Sequence, residues 1–356
     1  MGMRVCAMSA VSGVTLALSL FVLDGRPAAQ TGQGPALPQI PGNGPPPLSW
    51  TPGAVEVTGE KIQILPVQGQ VFLVAGAGGN IVVQAGDEGL LIVDTGTTEL
   101  SDEVLALLQR RFNRPIRFVI NTSADPDHIG GNAVIGGAGR AQNVAVGGRA
   151  GILGGAPAGA QIYAHEKVLN RISAPTGRSA RLPFEYWPTD SFFTDEKQLF
   201  VNGEAVQILH QPAAHSDGDV VVFFRRSDVV ATGDIFGTRS YPVWDPATGG
   251  TYRGMLAALN RILDLTIPDF NQEAGTYVVP GHGHLGDESD VAEYRNLATI
   301  VHDRIQDLIK KGMTLEQVKA ARPTFDYDAR YQKTAGDWTT DRFVEAVYRE
   351  LVSSRQ

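Results

Sequence analysis

Residues 121 to 132, N-T-S-A-D-P-D-H-I-G-G-N, are the most informative part of the sequence. They follow the apolar run Ile116–Ile120, which has the composition of a buried strand. Asp127 and His128 stand next to each other, and the glycine pair that follows favours a tight turn. An adjacent carboxylate and imidazole at a strand end are a natural pair of metal ligands. The sequence therefore predicts a metal site at this strand end.

This stretch resembles the metal-binding loop of the metallo-β-lactamase superfamily, whose pattern is H-x-H-x-D-H followed by a Gly-rich turn. The chain departs from that pattern, because Ser123 and Asp125 stand where the family has its first two histidines. Three more motifs follow in the family's order: His215 in P-A-A-H-S-D-G-D, Asp234 at the end of V-V-A-T-G-D, and His282 in V-P-G-H-G-H. Each motif lies beside a predicted strand, so the chain is identified as a member of this superfamily.

The resemblance implies the roles of individual residues. One metal position is ligated by Asp127, His128 and His282, and it keeps an open position for water as a catalytic zinc requires. Asp234 matches the bridging carboxylate of the family. Asp127, Asp234 and His215 are the predicted catalytic residues, with His215 stabilising an oxyanion or relaying a proton when no metal ion takes it.

The second metal position is the part of the site that the chain has altered. The family uses three histidines there, and they correspond to Ser123, Asp125 and His215. In one interpretation this position is empty and the enzyme runs on a single zinc ion, which we take as the prediction. In the other, Asp125 ligates a second metal ion with His215 and Asp234, and this oxygen-rich donor set would favour Mn or Fe over Zn.

Strand clusters followed by helices occur twice along the chain, which predicts two packed sheets with helices outside them. The resemblance, which extends over roughly residues 61 to 311, implies an α/β fold, the αββα sandwich of the metallo-β-lactamase type, with a small helical C-terminal extension. The predicted divisions are a signal peptide over 1–29, a Pro/Gly-rich linker or arm over 30–60, the metallo-β-lactamase-like domain over 61–312, and the extension over 313–356. A Gly/Ala-rich insertion is predicted over 136–160.

The segment before residue 30 has the pattern of a cleaved export signal. Arg4 supplies a positive charge, Val5–Val22 is mostly apolar, and Pro27–Gln30 offers small residues for cleavage. Cys6, the single cysteine, lies inside this segment, so the mature chain has neither disulfides nor a cysteine ligand. The sequence predicts an exported protein, periplasmic or secreted, that is not inserted in a membrane after cleavage.

The overall composition is that of a globular protein, with 43% hydrophobic residues and a formal net charge of −8. An acidic chain without Lys/Arg runs longer than a pair does not indicate a nucleic-acid partner, so a small-molecule substrate is expected. The oligomeric state is left open by the sequence.

The function predicted from the motifs is that of an exported metal-dependent hydrolase. It would use a metal-bound water on an ester, lactone, thioester or amide bond of the β-lactam kind. One alternative is a catalytically impaired accessory protein that binds a metal or ligand, which the loss of two family histidines supports. Another is an iron-dependent oxidoreductase, which only Asp125 indicates.

Four residues outside the ligand set have two possible roles each. Asp94, in D-T-G, either orients a ligating histidine or caps a local turn. Trp187, Tyr241 and Trp244 either line a substrate pocket or pack against neighbouring residues.

Overall fold

Two β-sheets pack face to face, and helices cover the outer face of each, in a computed structural model that describes residues 62–140, 159–176, 179–267, 275–334 and 336–354. The first sheet has seven strands, in the spatial order β1 (Gln63–Gln68), β2 (Val71–Ala77), β3 (Gly79–Gly86), β4 (Gly89–Val93), β5 (Ile116–Ile120), β6 (Gln161–His165) and β9 (Asp190–Phe192). The second sheet has six, in the order β10 (Glu196–Val201), β11 (Glu204–His210), β12 (Val220–Phe224), β13 (Val229–Ala231), β14 (Tyr277–Val279) and β15 (Gly286–Asp287). A two-stranded ribbon joins β7 (Pro175–Thr176) to β8 (Ser179–Ala180).

The helices fall into a group on the first sheet and a group on the second. The described α-helices are α1 (Ser101–Phe112), α2 (Pro126–Ile129), α3 (Glu166–Ser173), α4 (Tyr252–Leu265), α5 (Glu288–Lys310), α6 (Leu315–Ala320), α7 (Asp328–Tyr331) and α8 (Thr340–Ser353). Their ends follow local chemistry: Thr251 caps α4 by accepting from the Gly254 amide, and Asp287 and Asp290 form a capping box at α5.

Alternation along the strands creates the four layers. Successive side chains of a strand point to opposite faces, so Val82 enters the core between the sheets while Val83 packs under α1. In the second sheet Val222 points to the inter-sheet core, and Val221 packs under the helices that include α4, α5 and α8. Both faces of each sheet are therefore buried, which explains why these strands read as continuous apolar runs.

The parallel strand pairs place the site. β4 pairs parallel with β5, and β13 pairs parallel with β14, so each pair ends at a common edge of its sheet. Loops that follow parallel strands meet at the carboxyl edge, where α/β folds hold their ligands. The chain segments after all four strands, together with the loop that precedes β12, converge at this end of the sandwich.

The predicted αββα sandwich with a helical C-terminal extension is confirmed, and the apolar run Ile116–Ile120 forms the strand β5 as predicted. The prediction did not include the strands β6 and β9, which follow the Gly/Ala-rich stretch. Most of that stretch, like the predicted signal peptide and the 30–60 linker, lies outside the described residues. Within the described ranges, no helix combines the length and apolar character needed to cross a membrane.

Candidate metal centre

The loop after β5 is the centre of the site. Asp125 begins the short helix α2, and its carbonyl accepts from the His128 amide at 2.9 Å. The glycines that follow do not have a positive φ, as a glycine turn would; Gly130 (φ −60°) and Gly131 (φ −87°) lie in the right-handed region. They are required by close approach, because a Cβ at Gly130 would overlap with the Pro126 carbonyl. The tight packing holds Asp127 and His128 at the rim of the sheet.

Asp94, at the end of β4, fixes the orientation of His128. Its carboxylate accepts from the Thr122 amide and hydroxyl and lies 2.7 Å from His128 Nδ1. A carboxylate accepts the proton of Nδ1, so the lone pair of His128 is on Nε2. Asp94 is therefore an orienting partner of His128; the alternative role of a turn cap does not apply, because the 3₁₀ turn Thr98–Leu100 that follows has no side-chain cap.

The first donor group consists of Asp127, His128 and His282. One ligand atom from each lies within 4.8 Å of the other two. His282 Nε2 is 3.0 Å from Asp127 Oδ2 and 3.4 Å from Asp234 Oδ1. Asp234 reaches both histidines, because its other oxygen lies 3.3 Å from His128 Nε2.

The second donor group consists of Asp125, His215 and Asp234, whose ligand atoms also lie within 4.8 Å of one another. His215 Nε2 is 3.2 Å from Asp125 Oδ2. His215 Nδ1 donates to the Val243 carbonyl at 3.0 Å, so the lone pair of the neutral ring is again on Nε2. Ser123 donates to Asp125 Oδ2 at 2.8 Å, and thus orients this carboxylate. Asp234 belongs to both neighbourhoods, as a bridging residue would.

The site is a cleft with a buried floor and an open rim. The exposed fraction of the side chain rises from the floor outward: His128 0%, His215 12%, Asp234 16%, Asp127 29%, Asp125 35% and His282 43%. A substrate can therefore approach from the side of His282 and Asp125, whereas His128 is reached only through the cleft.

The electrostatics favour positive charge in the cleft. Burial alone would lower the pKa of His128, but Asp234 and Asp94 outweigh it and raise that pKa well above its usual value. Burial likewise opposes the charge of His215, yet the hydrogen bond to Asp125 and the nearby carboxylates raise its pKa to about 10. Burial would raise the pKa of Asp234, and the surrounding imidazoles instead lower it. These shifts mark a site that stabilises a cation among its carboxylates.

The donors fit a metal ion. His128 Nε2 is completely buried and, among the described residues, has no hydrogen-bond partner, although Asp234 Oδ2 is 3.3 Å away. A buried polar atom without a partner costs about 1–3 kcal/mol, so such an atom aimed into a group of carboxylates indicates a ligand position. The first group offers two imidazoles and a carboxylate, the donor types of a catalytic zinc. The second offers one imidazole and two carboxylates, a harder donor set.

Asn80 supports the site, although its sequence context does not single it out. Asn80 donates to the carbonyls of Pro280 and Gly283 and so ties the start of β3 to the loop of His282. A lone Asn after glycines has no pattern that distinguishes this role from an ordinary turn.

Of the two roles left open for Tyr241 and Trp244, the structure favours packing in the core, because the residues are only 2% and 1% exposed.

His165 and His210 stack on each other, with ring centroids 3.7 Å apart. His165 accepts from the Lys167 amide at the start of α3, and His210 Nε2 donates to the Asp217 carbonyl. His284 follows His282 but hydrogen-bonds to the neighbouring Leu285 carbonyl. None of the three belongs to either donor group among the described residues.

Comparison with known proteins identifies the family. Residues 74–298 match the family model described as the metallo-beta-lactamase superfamily. No curated protein matches the sequence. Among solved structures, a metallo-beta-lactamase from Pontibacter korlensis is 16% identical with a TM-score of 0.50, covering 67% of this chain and 99% of that one.

The stereoselective inverting sec-alkylsulfatase Pisa1 from Pseudomonas sp. is 16% identical with a TM-score of 0.53 over 81% of this chain. A double mutant of the sec-alkyl sulfatase PisA1 is 15% identical with a TM-score of 0.55 over 83% of this chain. The match covers half of each sulfatase chain. At these identities the structures show a shared fold, and the family match extends over most of the chain that forms the two sheets. This chain belongs to the metallo-β-lactamase superfamily and is a metal-dependent hydrolase.

Proposed function

We propose that the chain is an exported hydrolase that binds zinc through Asp127, His128 and His282 and cleaves an ester, lactone, thioester or β-lactam-like amide bond. The observation that carries the proposal is the buried Nε2 of His128, held free of its own proton by Asp94 and aimed between Asp127 and Asp234. When bound there, a divalent metal ion supplies Lewis acidity and lowers the pKa of a water towards about 7.

The chain's own groups supply the rest of the chemistry. Asp127 and Asp234 present carboxylate oxygens that can accept a hydrogen bond from an attacking water and hold it in the cleft. His215 can release or take up a proton at Nε2, because Nδ1 is occupied by the Val243 carbonyl. The exposed rim at His282 leaves room for the leaving group to depart.

The number of metal ions is a separate part of the proposal. We keep the single zinc ion as the expected complement, since the family histidines at Ser123 and Asp125 are replaced. The converging oxygens of Asp125 and Asp234 beside His215 Nε2 support the alternative of a second ion, Mn or Fe rather than Zn.

The test is metal content and hydrolysis measured on the same untagged protein, purified from a host grown with Zn, Mn and Fe. Elemental content per chain should be near one zinc ion, and a chelator should remove hydrolysis that zinc restores. The substrate panel contains a phenyl ester, a γ-lactone, a thioester and a β-lactam. A secondary alkyl sulfate is added because the solved sulfatases share the fold.

The matched variants are His282→Ala and His284→Ala, two histidines that are separated by one glycine. His282→Ala should lose bound metal and hydrolysis, whereas His284→Ala should keep both. A wild-type protein that binds no metal and hydrolyses none of the panel would support the accessory-protein function. A protein that contains iron and has redox activity would support the oxidoreductase.

Export is proposed from the pattern of residues 4–30. Chemical sequencing of the mature protein should find a start near residue 29 or 30. Intact Met1 on protein from the soluble cytoplasm of the native host would refute it.

A further inference from the structure

We infer that the helical C-terminal extension, residues 313–354, is a positioning element of the metal centre and that it acts on His215. The inference rests on the proposed function, in which His215 is a site residue. The extension lies beyond the residues 74–298 that match the family model. It is part of the same compact unit as the sheets.

The first connection passes through the segment that holds the His215 ring. Val243, whose carbonyl accepts from His215 Nδ1, is flanked by Pro242 and Trp244. Trp338 of the extension donates from its indole nitrogen to the Pro242 carbonyl at 3.1 Å. Its ring also packs edge-on against Trp244, with centroids 5.4 Å apart.

The same segment is held a second time, one residue earlier. Tyr241 donates its hydroxyl to Asp328 of the extension at 2.9 Å, and its ring stacks on Phe343 of α8 at 4.8 Å. Val243 therefore lies between two residues whose positions are determined by the extension. Since Tyr241 and Trp244 are almost fully buried, neither can shift without opening this core.

The second connection reaches the backbone in front of His215. Glu350 of α8 accepts from the amide of Tyr252 at 2.8 Å, which satisfies a free amide at the start of α4. The neighbouring Thr251 donates its amide to the Ala213 carbonyl at 2.9 Å. Ala213 has a positive φ of 59°, a conformation that a residue with a Cβ keeps only when its surroundings hold it. The extension thus constrains both the chain before His215 and the acceptor of its ring.

His128 provides an internal comparison. Its Nδ1 also donates to a fixed acceptor, but that acceptor is Asp94 at the end of β4 in the first sheet. The partners of Asp94, namely Thr122 and His128, are on the first sheet's side as well. Loosening the extension should therefore release His215 and leave His128 unchanged.

The experiment measures the two ring N–H groups in the zinc-loaded full chain labelled with ¹⁵N-histidine. Proton exchange of the Nδ1–H of His215 and of His128 is followed by NMR, with assignments from single histidine substitutions. Trp338→Phe removes the donor to Pro242 and keeps an aromatic ring against Trp244. It should accelerate exchange at His215 by roughly two- to tenfold, the factor that corresponds to one net hydrogen bond.

Two further variants complete the test. Glu350→Ala removes the carboxylate that accepts from the Tyr252 amide and should accelerate proton exchange at His215 in the same way, which keeps the test decisive if Trp338→Phe fails to fold. Tyr348→Phe is the matched control, because the hydroxyl of Tyr348 donates to Met313 within the extension itself. It should leave both histidines unchanged.

Unchanged exchange at His215 in both test variants, or equal acceleration at His128, would overturn the inference. Equal acceleration would mean that the extension stabilises the whole fold and has no particular connection to His215. The readout requires neither a substrate nor a second metal ion, so failure of the proposed hydrolysis and failure of this inference are distinguishable.

Discussion

Replacing Asp94 by Asn should disable the metal centre although Asp94 is not itself a predicted ligand. Asn has the same shape and tolerates the positive φ of 63° at this position, so the backbone should be retained. The amide keeps one acceptor for the Thr122 amide but presents an N–H₂ to His128 Nδ1, which lies 2.7 Å from Asp94 Oδ2. Two donors cannot face each other, so the His128 proton should move to Nε2 and block the ligand atom.

The expected magnitude follows from these contacts. Removing an orienting partner of a metal-bound histidine lowers metal affinity about 10- to 100-fold, which is about 1.4–2.8 kcal/mol. Because Asp94→Asn also favours the wrong tautomer, we expect the upper end of this range. The assay is the zinc dissociation constant, measured by competition with a chromophoric chelator, and hydrolysis should fall with zinc occupancy. Asp102→Asn is the control, because it makes the same change from carboxylate to amide on the exposed face of α1.

A zinc affinity of Asp94→Asn equal to that of the wild type would contradict this prediction. It would mean either that His128 Nε2 is not a ligand or that Asp94 does not determine its tautomer. ¹⁵N chemical shifts of His128 would separate these two cases, since they report directly which ring nitrogen carries the proton.

Four other predictions concern the site and its support. Restoring the family histidines with Ser123→His and Asp125→His should raise metal content from near one to near two per chain; two ions in the wild type would show that the single-ion prediction is wrong. His215→Ala should reduce turnover more than metal content if one ion is bound, and equal losses would support an ion at Asp125 and His215. Gly281→Ala should lose bound metal and destabilise the fold by about 1–3 kcal/mol, because the added Cβ would overlap with Asp234 Oδ1; unchanged metal content and melting temperature would refute this. Burial and then the stacked His210 lower the pKa of His165 from 6.5 to about 4, so the unfolded chain takes up a proton that the folded chain refuses as the pH falls between these values. The melting temperature should therefore fall as the pH is lowered from 6.5 to about 4, and His165→Gln should make the melting temperature less dependent on pH.

The metal loop and the strand ends could be predicted because their chemistry is local. Apolar runs of strand length predict buried strands whatever surrounds them, and the residues directly after β5, β13 and β14 are then placed at sheet edges. β6 and β9 were not predicted. β6 has five residues and β9 has three. The Gly/Ala-rich composition of residues 136–160 gives no signal that a strand begins directly after it. Their pairing with β5 and with each other, which contributes most of their stability, is a tertiary property.

Residue types and their order along the chain were enough to identify the side chains that can bind a metal ion, because ligand chemistry depends on residue type. These are the carboxylates Asp125, Asp127 and Asp234 and three histidines in the family's order. The tertiary structure added the geometry of the two groups, which the family resemblance had already divided around Asp234: loops from both sheets bring the ligand atoms of each group within 4.8 Å of one another. It also decided which nitrogen each histidine presents. That choice depends on Asp94 and on the Val243 carbonyl, 34 and 28 residues away in sequence. A hydrogen bond between residues so far apart leaves no periodic trace in the sequence, and packing of the sheets and the C-terminal helices is what brings such partners within 3 Å.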